Sequence, residues 1–156
     1  MAKNTIKIKK YLDIIEEYVA NAAITPGHLI ELMSTGKVRV HATEGGNVLP
    51  MFALESELEG EGITDAYAAD DQVQCWIPTR GDQVYALLAN GENVVIGDLL
   101  SSKGDGTLKK YVAQIDSASD TETILPEPIV AVALEAVDMS GSSGVDPTGR
   151  IEVRIY

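Results

Sequence analysis

The side chains of this 156-residue chain best suited to acid–base, nucleophilic or metal chemistry are two histidines, His28 and His41, and one cysteine, Cys75. Neither histidine has a cysteine or carboxylate at zinc-ligand spacing. Cys75 and His41 are the available nucleophile–base pair. Cys75, however, falls on the apolar face of a strand pattern, where a lone cysteine behaves as a small hydrophobe. Acidic pairs such as Glu16-Glu17, Asp70-Asp71 and the glutamates of ELEGEG (57–62) are common on a chain of net charge −12, so they specify little. The alternating Asp/Asn positions of a calcium loop are absent, and GDGT (104–107) is too short for one. No glycine-rich phosphate loop occurs. Arg80-Gly81-Asp82, just after Pro78, reads as a tight turn and not as an adhesion tripeptide. These residues predict no catalytic residue, no cofactor and no metal, and hence no enzyme.

The elements that would position any site read as short strands between turns. In KVRVHA, Val38, Val40 and Ala42 alternate with Lys37, Arg39 and His41; in QVQCWI, Val73, Cys75 and Ile77 alternate with Gln72, Gln74 and Trp76. RIEVRI places Ile151, Val153 and Ile155 on one face. VYALLA (84–89) and IVAVAL (129–134) are continuously apolar, as strands covered on both sides are. Pro26-Gly27 suits the centre of a type II turn, Asn90-Gly91 and Asp105-Gly106 suit hairpins, and Asp146-Pro147-Thr148-Gly149 suits a type I turn. The pattern predicts an all-β fold, a barrel or sandwich. YLDIIEEYVANAA (11–23) fits either an extended arm or edge strand, or a helix carrying Ile14, Ile15, Tyr18, Val19 and Ala22. The acidic stretch 55–71 reads as a solvated, projecting loop.

A repeat runs through the chain. ITPGHLIELMSTGKVRVHA (24–42) parallels VIGDLLSSKGDGTLKKYVA (95–113): Gly27, Leu29 and Gly36 each lie 70 positions before Gly97, Leu99 and Gly106. FALE (52–55) returns as VALE (132–135), 80 positions later, so the second copy carries about ten extra residues, read as the polar loop DSASDTETILPE. The spacing predicts two strand–turn–strand–strand units within one β-body, with Gly27 and Gly97 in matching turns. Lipoyl and biotinyl carrier domains also contain such duplications, but they need a lysine at a hairpin tip. Lys109 and Lys110 instead follow the Asp105-Gly106 turn.

Composition narrows the function classes. Residues 1–10 hold four lysines and no acid, whereas the remainder holds eight basic and 24 acidic residues, so +4 sits on −16. An acidic body repels phosphate backbones, which argues against nucleic-acid binding. No apolar run reaches the roughly 20 residues of a membrane span, and the basic start lacks the apolar stretch of a secretory signal. One cysteine allows no intrachain disulfide and suits a chain made in a reducing cytoplasm. The lysine-rich start reads as a solvated tail or as an arm seeking an acidic protein surface.

The blocks AAITPGHLIELMSTGKV, MFALE, YAADDQVQCWIPTRGDQVYALLANGENV and AVALEAVD, with the closing RIEVRI, resemble the head decoration (cement) proteins of tailed bacteriophages, from about residue 22 to the end. The resemblance implies a compact, tulip-like all-β body, of barrel or sandwich type, with an N-terminal arm (1–23) ahead of the body (24–156). It implies a capsid decoration protein on the outer surface of an HK97-type virion, made in the host bacterial cytoplasm. Its partners would be the major capsid protein and its own copies, as a trimer or else a dimer, with no nucleic acid and no membrane. A tail, fibre or baseplate module is the alternative. The arm is expected to be mobile in the free protein, and its removal to leave the melt unchanged. On the capsid it would add a strand, with Ile6 and Ile8 in pockets and Lys3, Lys7, Lys9 and Lys10 positioning it.

Overall fold

The structure is a computed structural model that describes residues 3–116, 123–125, 127–142 and 149–156. Its first strands are β1 (Lys7–Lys9), β2 (Ile15–Val19), β3 (Ile30–Leu32), β4 (Val38–Val40) and β5 (Phe52–Ala53). There follow β6 (Gln72–Trp76), β7 (Gln83–Leu87), β8 (Asn93–Val94), β9 (Leu99–Ser102) and β10 (Leu108–Lys110). The last are β11 (Gln114–Asp116), β12 (Thr123–Leu125), β13 (Ala131–Ala133), β14 (Val137–Asp138) and β15 (Arg150–Ile155). A single 3₁₀ turn at Glu57–Glu59 is the only helical element among the described residues. The fold is all-β, as expected, and sandwich-like without a closed barrel.

The largest sheet runs β1-β7-β15-β13-β9-β10, every neighbour antiparallel. A three-stranded sheet, β2-β6-β5, lies apart from it, and β3-β4, β8-β14 and β11-β12 form two-stranded ladders. Successive side chains of a strand point to opposite faces, and this splits the interior in two. Leu29, Phe52 and Trp76 enter a main core with Val84, Ile151 and Val153. Their chain neighbours Ile30, Ala53 and Cys75 enter a second core with Val38, Tyr67 and Val73. The β5–β6 pair is thus a wall between two cores, so Trp76 is buried and not solvent-facing as its alternation predicted. RIEVRI follows its expected alternation. KVRVHA follows it only as far as Val40: His41 is buried and Ala42 exposed, because the imidazole meets Ser102 Oγ at 2.6 Å and the Asn47 carbonyl at 3.2 Å.

The repeat is structural only in part: its turns and registers match, but 24–55 holds three strands and 95–135 five. β5 pairs β6 whereas β13 pairs β9, so the two units are not equivalent in strand count or pairing. In β3–β4 Ile30 faces Val40, and 70 residues later in β9–β10 Leu100 faces Lys110. Leu29 bridges Phe52 as Leu99 pairs Val132. Gly27 N–H donates to the Ala53 carbonyl (2.8 Å), and Gly97 N–H to that of Ala133 (3.0 Å). The return bonds, Ala53 N–H to His28 and Ala133 N–H to Asp98, also match at 3.1 and 2.9 Å. Both glycines sit at positive φ, 92° and 91°, where a side chain is strained. The same docked turn recurs at 79–82, 89–92 and 68–71, the last with Asp70 at φ 72° in the glycine position. The tight-turn reading of Arg80-Gly81-Asp82 therefore holds. Asn90-Gly91 also turns, but β7 and β8 on either side pair with other strands, so it makes no hairpin. Asp105-Gly106 does lie in the β9–β10 hairpin. The longer second copy carries the ladder β11–β12 where a plain loop was expected. Residues 117–122 of that stretch, and the 146–149 turn apart from Gly149, lie outside the described residues.

Candidate partner-binding surface

The N-terminal segment forms the two strands β1 and β2 joined by bends, and residues 11–23 contain no helix. It is fastened to the body at successive points. Lys3 Nζ reaches Glu135 (3.2 Å) and Glu152 (2.7 Å) and lies 4.9 Å from the Tyr85 ring centre. Burial works against that ammonium, but the hydrogen bonds and charge of Glu152 and Glu135 outweigh it and raise its pKa. Ile6 is fully buried in the main core. Its N–H donates to the buried Glu55 carboxylate (3.2 Å), and its carbonyl accepts from Tyr85 N–H (2.9 Å). That N–H helps to offset the cost of burying Glu55. β1 then lies along β7, with Lys7 opposite Val84 and Lys9 opposite Gln83. Lys10 and Lys7 both pair with Asp13, and the Lys10 hydrogen bond is the larger cause of that carboxyl's lowered pKa. Tyr11 N–H closes the attachment on Asp82 Oδ1 (2.6 Å), whose other oxygen holds the Thr79 turn.

These contacts correct the expected mobile arm. A +4 decapeptide cannot order itself alone, but the body supplies an apolar slot for Ile6, an open edge on β7 and four acidic anchors. Together these offset the ordering entropy. Of the six residues expected to reach a partner, Lys3, Ile6, Lys7 and Lys10 bond to the chain itself, Ile8 is half-buried, and Lys9 is exposed.

What the segment offers outward is its next stretch. Tyr11, Leu12, Ile14 and Ile15 are 88%, 50%, 44% and 39% exposed, an apolar ridge where β2 begins. Beside it Lys9, Lys10, Tyr11, Arg80, Gly81 and Asp82 line a cleft of about 270 Å³. Arg80 stacks 5.4 Å over Tyr156, itself 55% exposed. The ridge is not evident in the sequence because the spacing of Ile14 and Ile15 fits the buried face of a helix or strand. Four apolar residues among five, with no consistent period and flanked by charges, were the available signal. A second, larger groove of about 350 Å³ opens over the second core between Tyr18, Leu32, Leu49 and Ile77.

The residues with chemical potential are placed separately. Cys75 is fully buried, and burial pushes its thiol up to about 12. Its Sγ donates to the Val73 carbonyl, while the His41 ring bonds Ser102 and Asn47, so neither uses the other. His28 Nδ1 accepts the Thr25 N–H (3.0 Å), and burial lowers its pKa to about 4. Lys109 is buried between Glu44 (2.8 Å) and Glu127 (3.1 Å), not displayed on a hairpin tip. Among the described residues no three His, Cys, Asp or Glu side chains converge to hold a metal, and no helix is long and apolar enough to cross a membrane.

No family model matches the chain, and no curated protein matches it either. Among solved structures it is similar to the N base of the head fibre gp8.5 of bacteriophage phi29, with a TM-score of 0.56 and 12% identity. The match covers 93% of this chain and 95% of that one. At that identity the likeness is one of fold alone.

Proposed function

We propose that this chain is a structural protein of a tailed-bacteriophage head, a decoration protein that binds the outside of an HK97-type capsid and stabilises the expanded, DNA-filled shell. The observation that carries this reading is the fold shared, over nearly the full length of both chains, with a base that belongs to a phage head. The sequence blocks that resemble decoration proteins point the same way. A net charge of −12 suits a shell exterior, away from packaged DNA. Its partners are the major capsid protein and further copies of itself, a trimer in preference to a dimer, since linked weak contacts gain avidity by effective concentration. In this reading Lys3, Ile6, Lys7 and Lys10 hold the N-terminal segment as a rigid ledge, and Ile8 remains available to the shell. The body itself does no chemistry.

A second reading is a base that anchors a fibre, favoured by the neighbour's being such a base. Heads made without this protein separate the two. Added to expanded and unexpanded heads, it binds the expanded ones in many saturable copies and raises their resistance to heat. Few copies with no gain in resistance support the fibre base. Absence of binding to both head forms overturns the proposal.

A further inference from the structure

We propose that copies of this chain join head to tail, the acidic knob at 57–61 of one copy seating in the basic cleft beside the Tyr11–Ile15 ridge of the next. The knob is Glu57-Leu58-Glu59-Gly60-Glu61, and all five residues are exposed. Leu58 is 91% exposed, the most exposed large apolar side chain among the described residues. It is not a floppy loop: Glu57–Glu59 is a 3₁₀ turn, closed by Gly60 at φ 79°. The Glu59 and Glu61 N–H groups both donate to the Ser56 carbonyl at 3.1 Å. A preformed knob loses little entropy on docking.

The cleft is its complement in charge. Lys9, Lys10 and Arg80 line it with a single acid, Asp82, and Lys10 also pairs with Asp13, which leaves an excess of cations on a chain whose remainder is strongly acidic. Its floor is held by the Tyr11 N–H bond to Asp82, so it too is formed in advance. Tyr11, Tyr156 and Arg80 around it are the residue types that anchor interfaces. The occupant is a second copy because this chain itself carries the matching feature: glutamates on both sides of an apolar tip, opposite a cleft in which cations flank the Tyr11 ring. The two surfaces are different patches, so the contact is heterologous and closes into a ring when the rotation allows. Charge pairs at an exposed rim weaken with salt.

This inference rests on the reading of the chain as one copy of an assembly, but its test needs no heads. Sedimentation of the full chain across concentration and salt is expected to show self-association that weakens as salt rises. Leu58→Asp and Arg80→Glu, both at surface positions, each weaken it at least tenfold with an unchanged thermal melt. Arg80→Glu combined with Glu57→Lys and Glu61→Lys restores part of it. A wild-type chain that stays monomeric at high concentration, or a Leu58→Asp chain that associates like wild type, overturns the proposal. So does a Leu58→Asp chain that keeps its association but loses head binding, which would assign the knob to the shell. A chain that associates through these surfaces yet ignores heads refutes only the head reading.

Discussion

Replacing Ile6 by Ala tests how the N-terminal segment is held. Ile6 has no exposed surface and sits in the main core with Leu54, Trp76 and Val84. A substitution of this kind leaves a cavity and costs about 3 kcal/mol. For a domain of this size each kcal/mol lowers Tm by about 2–4 °C, so a fall of about 6–12 °C is expected. The backbone bonds to Glu55 and Tyr85 survive in this variant. Deleting residues 2–10 removes them as well, leaves the buried Glu55 without that donor at about 1–3 kcal/mol, and strips the Lys3 contacts. The deletion is therefore expected to cost about 5 kcal/mol, comparable to the whole stability of a marginal domain. Urea unfolding followed by Trp76 fluorescence measures both, because Trp76 lies in the same core. The midpoint falls while the slope of the transition is unchanged in Ile6→Ala. A change below about 0.5 kcal/mol in both variants, the surface-substitution range, would refute the docked segment and restore a mobile arm.

The repeat separates two glycines that have the same φ. A Cβ at Gly97 meets nothing within 4 Å, whereas one at Gly27 meets Arg150 Nη1 and the Tyr85 carbonyl, the latter at 3.2 Å. Gly97→Ala is expected to cost about 1 kcal/mol, from φ strain alone, and Gly27→Ala clearly more; equal costs would contradict the packing at Gly27. His28 has a folded pKa of about 4, lowered by burial from 6.5, so its neutral form is favoured in the fold. Protonation favours the unfolded chain, hence the stability is present above pH 6.5 and falls as pH drops from about 6.5 toward 4, by about 2–3 kcal/mol. His28→Asn keeps an acceptor for Thr25 N–H without titrating, so its stability profile should be flatter across that window; an identical slope would rule His28 out as the cause. Cys75, buried and with its thiol raised to about 12, should react with a thiol reagent only as fast as the chain opens; immediate labelling of folded protein would contradict its place in the second core.

The repeat was legible because both copies keep their glycines and strand registers at fixed offsets, and a turn that needs positive φ leaves a mark in sequence. Ile151, Val153 and Ile155 were legible for a similar reason: one face is core and the other is not. Trp76 was misjudged because a strand that forms a wall between two cores has no outer face, and alternation cannot reveal a second core. His41 was misjudged because its burial depends on Ser102 and Asn47, partners set by tertiary structure. The N-terminal segment was the largest miss. Its local composition describes a solvated tail, while its slot is built by residues from 29 to 155. The apolar ridge at 11–15 was visible as a run of residues but not as a surface, since exposure is a property of the whole fold.

The most direct test of the proposed role is electron cryomicroscopy of heads assembled without this protein and then incubated with it. The account predicts density of this two-core β-body on the outer face of the expanded shell, repeated at equivalent lattice positions and lost from unexpanded heads. Density on tails alone, or bare expanded shells at saturating protein, would contradict it.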